Sequence, residues 1–154
     1  MKKFSFSLQK VLDYRRQLES VRSAAFSKAA EVFKQRQKNL ESLGEELAQY
    51  RSRLAEMGVG RISARELSSY RSYMTHCEIK VSKAAKWLME AAGEMESRRR
   101  DFVGAKKRTR VLERLEEVKR GRHDYEAARQ ETKVLDEVAG VAFAAVHGSG
   151  GEKA

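Results

Sequence analysis

Hydrophobic residues recur at alternating steps of three and four in two long blocks, and each block predicts one helix. The first block runs from Leu8 to Met57, and the second runs from Leu67 to beyond Leu112. This is the heptad spacing of a coiled coil, in which one side of each helix packs against the other helix. We call these positions the seam: Leu8, Val11, Arg15, Leu18, Arg22, Phe26, Ala29, Phe33, Arg36, Leu40, Leu43, Leu47, Tyr50, Leu54 and Met57, then Leu67, Tyr70, Met74, Cys77, Val81, Ala84, Leu88, Ala91, Met95, Arg98, Phe102, Ala105, Thr109 and Leu112.

Turn signals separate the two blocks. Two glycines lie in residues 58–60, where their conformational freedom lets the chain reverse. Ser63 and Glu66 have the spacing of a capping box, in which each side chain binds the backbone amide of the other residue. Ile62 and Leu67 are placed to close the turn as a hydrophobic staple. The sequence therefore predicts a helical hairpin that reverses near residue 60.

The two seams match in one antiparallel register. If the chain reverses at residue 60, the numbers of facing residues should sum to about 120. Leu54 then faces Leu67, and Leu40 faces Val81. The predicted fold is all-α, a long two-helix antiparallel coiled-coil hairpin in which helix two extends beyond helix one.

One layer of this seam is unfavourable, because Arg22 faces Arg98 at an irregular step in the heptad pattern. Two facing cations repel unless a neighbouring carboxylate covers them. We expect Glu19, Glu94 or Asp101 to do so, with the long arginine stems lying along the seam.

The pattern divides the chain into five segments. The predicted segments are an aromatic arm at 1–7, helix one at 8–57, the turn at 58–63, helix two at 64–139 and a flexible tail at 140–154. Helix two outruns helix one by about 25 residues, or roughly 40 Å at helical rise. Phe4 and Phe6 can cover only the first turns of this overhang. The remaining apolar residues predict an external partner, with a frayed end as the alternative.

Composition narrows the class of protein. The 154 residues include no proline, which permits very long helices, and only 8% are aromatic, which is low for a compact core. A single cysteine, Cys77, excludes an internal disulfide and suits a reducing cytosol. Polar residues soon follow Lys2 and Lys3, which excludes a signal peptide. The longest apolar run, at 138–146, is far shorter than the roughly 20 residues of a membrane span.

Specific motifs stand at the two ends. The chain begins with Phe4-x-Phe6-x-Leu8, and the second block closes with Leu135-Asp136-Glu137. With the hairpin between them, these motifs resemble the FliJ family, the small coiled-coil component of the bacterial flagellar export apparatus, and its injectisome relatives. The resemblance runs from about Phe4 to Ala139.

The resemblance implies partners as well as a fold. Members of this family are similar to the stalk of rotary ATPases, and their terminal end is thought to enter the ring of the export ATPase. They also contact the membrane-embedded export gate and are implicated in handling export chaperones. We therefore expect a cytoplasmic adaptor, peripheral at the inner membrane through its partners, without a cofactor. The expected ATPase-binding residues are Phe4, Phe6, Leu8, Leu115, Val118, Tyr125, Leu135, Asp136 and Glu137.

A second expected surface lies near the turn. Tyr50 and Tyr70 occupy facing seam positions, where packing explains them. Tyr73 lies off the seam and matches a position where the family tends to carry an aromatic used toward the export gate. With Tyr50 and Cys77, it forms the expected contact for the gate or another partner, although Cys77 is also a small seam residue.

The chain has a net charge of +10, and its strongest basic cluster lies in the second helix, between residues 98 and 110. It can dock an acidic protein surface, bind nucleic acid, or simply be a solvated flank of the coiled coil. No aromatic stacking platform accompanies it, and acidic residues resume at Glu113, so nucleic acid is not the expected partner. The expected docking residues are Arg98, Arg99, Arg100, Lys106, Lys107 and Arg108.

Catalytic chemistry has no motif in this sequence. His76, His123 and His147 are scattered, and no Gly-Lys-Ser or Gly-Lys-Thr follows the glycines of the turn. The sequence thus favours a non-catalytic stalk or adaptor. The alternatives are a basic nucleic-acid-binding coiled coil and a purely structural spacer.

Overall fold

Two helices account for nearly all of the chain that the computed structural model describes. The described residues are 3–57 and 62–148, with side chains through residue 145. Helix α1 spans Gln9–Glu56 and helix α2 spans Ala64–Gly148. Within these ranges there is no strand. The predicted all-α fold, with the second helix longer than the first, is confirmed.

The end of helix α2 differs from the expected boundary at residue 139. The helix continues through Gly140 to Gly148, so residues 140–148 are not the start of a tail. A glycine inside a helix costs only about 1 kcal/mol relative to alanine. The following run of alanine and apolar residues contains no second breaker before Gly148. The glycines of the turn and the last part of the predicted tail, residues 149–154, lie outside the described residues.

The capping box begins helix α2 as the sequence predicts. The backbone amide of Ser63 donates to Glu66 Oε2 at 2.9 Å, and the amide of Glu66 donates to Ser63 Oγ at 3.2 Å. The hydrogen bond from the Ser63 amide, more than any other contact, lowers the pKa of the Glu66 carboxyl. This reciprocal pair satisfies donors that the first helical turn leaves without partners.

The chain forms two compact units. The central unit comprises residues 17–106, and the terminal unit comprises residues 1–16 and 107–154. In the central unit the helices run antiparallel. Tyr50 contacts Tyr73 with ring centroids 4.4 Å apart, and Arg36 lies 5.1 Å from the Trp87 ring.

The numbers of both these pairs sum to 123, slightly above the expected 120. Side chains of a helix lean towards its N-terminus, so each helix covers a level slightly earlier than its own residue numbers. In an antiparallel pair the two leans add. The small excess therefore agrees with a reversal near residue 60.

Few side chains in the central unit are fully buried. Leu47, Cys77, Ala84 and Ala105 are buried, and most other seam residues are half-buried. A two-helix interface covers only one side of each helix, so partial burial is the expected state of its seam.

The layer with two facing arginines is neutralised as expected. Arg22 Nη1 lies 3.0 Å from Asp101 Oδ2, and Arg98 Nε lies 2.7 Å from Glu94 Oε1. Both ion pairs keep their charged groups partly in solvent. Two of the three carboxylates that the sequence offered therefore cover this layer.

The terminal unit corrects the phase of the first helical turns. Leu12 is 0% exposed, whereas Val11, the predicted seam residue, is 43% exposed. Steps from Leu8 to Leu12 to Arg15 are four and three, so heptad spacing permits either choice. Leucine has the larger apolar side chain, and burying it removes more apolar surface from water. Thr109 Oγ also donates to the Arg15 carbonyl oxygen at 3.4 Å, linking α2 to this turn.

Candidate partner-binding surfaces

Tyr50, Tyr73 and Cys77 form a cluster in the central unit, and most of their surface contacts other residues of the chain. The Tyr73 hydroxyl donates to Glu46 Oε1 at 2.9 Å, and its ring packs against Tyr50. Hydrogen bonds with Tyr50 and then Glu46 are the main reasons why the pKa of Tyr73 is raised. Cys77 is buried. Tyr73 is half-buried rather than free off the seam, so a partner could reach only the edge of this cluster.

Arg98, Arg99 and Arg100 of the central unit each pair with a carboxylate on their own helix. Arg99 Nε lies 2.8 Å from Glu96 Oε2, and Arg100 Nε lies 3.4 Å from Glu96 Oε1. The hydrogen bond from Arg99 is the largest cause that lowers the pKa of Glu96 to about 2. Arg98 binds Glu94. An acidic partner would have to compete with these exposed ion pairs, each of which contributes little stability.

The other three expected docking residues lie in different units. Lys106 belongs to the central unit, where its Nζ lies 5.9 Å from the Phe102 ring. Lys107 and Arg108 belong to the terminal unit, where both side chains are exposed. The six expected docking residues therefore have different local environments.

The aromatic arm packs on helix α2 within the terminal unit. Phe6 is only 6% exposed, and Lys119 Nζ lies 5.7 Å from its ring. Phe4 is half-buried, with its ring centroid 5.5 Å from that of His123 in an edge arrangement. The Arg120 guanidinium also lies 5.5 Å from the Phe4 ring. Phe4 and Phe6 thus cover the first turns of the overhang, as expected.

An ion pair of helix α2 lies beside the aromatic arm. Glu116 is half-buried, and its Oε1 lies 2.7 Å from Arg120 Nη2. The same guanidinium covers Phe4, so one arginine joins the arm to the helix face. Arg16 pairs with Glu113 at 3.2 Å one turn earlier. Because Phe6 is buried and Leu8 is half-buried, a partner could reach little of either side chain.

Two apolar stripes remain exposed on helix α2 of the terminal unit. Val111, Leu115, Val118 and Tyr125 follow steps of four, three and seven, and thus share one side of the helix. Leu115 is 36% exposed and Tyr125 is 71% exposed. The second stripe lies further along, on nearly the opposite side of the helix, and consists of Val134, Val138 and Val141.

The other expected ATPase-binding residues do not all share the first stripe. Leu135 is exposed and lies ten residues, about 2.8 turns, after Tyr125, so it is rotated away from it. Asp136 and Glu137 are exposed on different sides of the same turn. Val134 and Val141 were not in the predicted set. Their three-four-seven spacing with Val138 is present in the sequence, but the expected contact follows the side of the helix that carries Leu115 and Tyr125.

A membrane span and a metal site would each require specific features of the described residues. Neither helix has a described stretch that is long and apolar enough to cross a bilayer. Residues 3–57 and 62–148 contain no cluster of three or more His, Cys, Asp or Glu side chains placed to hold a metal ion.

These observations define a class of protein, an antiparallel coiled-coil hairpin whose exposed features are apolar stripes and charged flanks. Within that class, residues 4–147 match the model of the family described as flagellar FliJ protein. The match covers nearly the whole chain, so the chain belongs to the FliJ family, a non-catalytic component of the flagellar export apparatus. Comparisons with curated proteins and with solved structures found no match.

Proposed function

We propose that this protein is a cytoplasmic adaptor that inserts its terminal unit into the ring of the flagellar export ATPase and raises its rate of ATP hydrolysis. Membership of the FliJ family carries this proposal. The adaptor supplies no catalytic group. It acts by binding one arrangement of the ring more tightly than others, which is how a ligand shifts a conformational equilibrium.

The stripe of Leu115, Val118 and Tyr125 is the proposed ATPase contact. Burying an apolar side chain of this size contributes roughly 1.5–3 kcal/mol relative to leaving it exposed. Phe4, Phe6 and Leu8 support the contact by holding the arm against α2. Leu135, Asp136 and Glu137 extend it along the overhang.

Two further contacts belong to the same role. The edge of the Tyr50, Tyr73 and Cys77 cluster contacts the export gate, which makes the protein peripheral at the cytoplasmic face of the inner membrane. Export chaperones are the third class of partner. The basic flank docks acidic surfaces on these proteins, and no nucleic acid takes part.

The ATPase contact can be tested by substitution. We expect Leu115→Ser with Tyr125→Ser to abolish stimulation of the cognate ATPase, because the apolar contact is lost, while circular dichroism shows unchanged helicity. The readout is phosphate release by the ATPase at increasing concentrations of the chain. Deletion of residues 125–154 should also weaken stimulation, while leaving in place the residues that contact Phe4 and Phe6.

A matched control replaces exposed residues outside the proposed contact. Tyr14→Ser with Val21→Ser removes one aromatic and one aliphatic side chain that are 61% and 60% exposed. This variant should stimulate as well as the unaltered chain. If the Leu115 and Tyr125 variant also stimulates fully, the proposed contact is wrong.

A further inference from the structure

The buried face of helix α2 continues beyond the residues that the aromatic arm covers. In the terminal unit this face is marked by burial at steps of three, four and seven. Its buried or half-buried members are Thr109, Leu112, Glu116, His123 and Ala127. The same steps from Ala127 lead to Val134, Val138 and Val141. These valines therefore extend an interface that the chain already uses internally.

The extended part of this face is open to solvent. Val134, Val138 and Val141 are 57%, 61% and 72% exposed. A single helix that packs against nothing is only marginally stable in water, since most helical stability in proteins comes from packing of an apolar face. The three valines supply such a face, and a second helix would complete the pairing that α1 and the arm begin.

The charges around these valines specify the chemistry of that helix. Residues 124–148 contain five acidic and two basic residues, although the whole chain has a net charge of +10. Glu131 lies seven residues before Val138, in the same row of the face. Glu126 and Glu137 flank the face on one side. None of the salt bridges between described residues involves a residue beyond Asp124. Among the described residues, these three carboxylates therefore have no ion-pair partner.

From this juxtaposition we propose that the face formed by Ala127, Glu131, Val134, Val138 and Val141 binds an amphipathic helix of another protein, whose apolar stripe is flanked by lysine or arginine. Docking takes Glu131 out of water, and a buried carboxylate is costly unless a cation pairs with it. Basic flanks supply that cation. The five residues of this face lie away from Leu115 and Tyr125, and of its surroundings only the flanking Glu137 also belongs to the proposed ATPase contact. The peptide measurements below use no ATPase, so they test this site separately.

A second copy of this chain fits the face poorly. The antiparallel register that places Val134 opposite Val138 also places Glu131 opposite Val141, where it would be buried without a cation. Two acidic segments side by side also repel each other. A helix with basic flanks removes both penalties.

Two designed peptides test the proposal with the full-length chain. Both are helical, about four heptads long, with leucine at the seam positions, and one carries lysine and the other glutamate at the flanking positions. We expect fluorescence anisotropy to show that the lysine peptide binds at least about tenfold more tightly than the glutamate peptide. Glu131→Lys with Glu137→Lys should reverse this preference. Equal binding of both peptides would overturn the assigned chemistry.

Substitution of the valines tests the assigned face. Val134→Ser with Val138→Ser should weaken binding of the lysine peptide about tenfold or more, whereas Val21→Ser with Val111→Ser, the same change at exposed valines elsewhere, should leave it within about twofold. Equal losses in the two variants would refute the site. Sedimentation of the unaltered chain provides a further test. Self-association that disappears in the Val134 and Val138 variant would make a second copy the occupant and overturn the proposal.

Discussion

At the scale of single residues, the interface depends on a few enclosed side chains among many half-buried ones. Leu12 is fully buried, and its neighbour Val11 is substantially exposed. Both residues satisfy the heptad spacing, and only packing distinguishes them. The same holds for Tyr73, whose hydrogen bond to Glu46 makes an apparent surface residue part of the interface.

Leu12→Ala should therefore destabilise the terminal unit much more than Val11→Ala. Replacing a buried leucine by alanine costs roughly 2–5 kcal/mol, because it removes apolar contacts and leaves a cavity. A two-helix interface can close around the gap, so we expect a value near the lower limit. Amide hydrogen exchange of residues 9–16 would measure the loss locally. Equal effects of the two substitutions would show that the phase of this turn is misassigned.

The ion pairs of Glu96 give a second test at this scale. Its pKa is lowered from 4.5 to about 2, first by the hydrogen bond from Arg99 and to a smaller extent by Arg100. A carboxyl whose pKa is lower in the folded chain stabilises the fold above about pH 4.5, and this contribution disappears as the pH falls towards 2. We expect an NMR titration of the Glu96 side chain to show the lowered midpoint.

Arginine substitutions provide the matched controls for that titration. Arg99→Gln should raise the Glu96 midpoint most of the way back to its ordinary value, and Arg100→Gln should raise it less. If Glu96 titrates at its ordinary pKa in the unaltered chain, the arginines are not held by it. They would then be free to bind an acidic partner directly.

At the scale of helices, the sequence predicted most of the architecture. The capping box of Ser63 and Glu66 and the antiparallel pairing both depend on local spacing, which can be read without a structure. The end of α2 could not be read in this way. Gly140 resembles a helix stop, but its cost is small enough for the residues around it to outweigh.

The candidate surfaces were less predictable than the helices themselves. Heptad spacing drifts relative to a helix of 3.6 residues per turn, so a seam extended over many residues can be assigned to the wrong side. Leu115 and Tyr125 carry the apolar spacing into the overhang, whereas Glu116 and His123 lie on its half-buried side. A hydrophobic pattern does not identify polar residues such as these as part of an interface. Their burial in the structure does.

At the scale of the whole chain, charge is distributed unevenly. The net charge of +10 arises outside residues 124–148, where acidic residues outnumber basic ones. A basic chain attracts nucleic acid nonspecifically, so this distribution bears on the rival that the protein is a nucleic-acid-binding coiled coil. The strongest basic run offers few free cations, because Glu94 and Glu96 hold Arg98, Arg99 and Arg100.

We accordingly expect duplex DNA to bind weakly and without preference for sequence. Contacts to phosphates release counterions, so affinity should fall steeply when salt is raised from about 50 to 200 mM. Changing Arg98, Arg99 and Arg100 to Glu should weaken binding to an acidic protein partner and lower any DNA affinity equally for all sequences, with helicity retained. Fluorescence anisotropy with two unrelated duplexes would measure both effects. Nanomolar binding to only one of the two duplexes at physiological salt, lost in this variant, would contradict this prediction. An export adaptor does not need to distinguish DNA sequences, so that result would favour a nucleic-acid-binding protein.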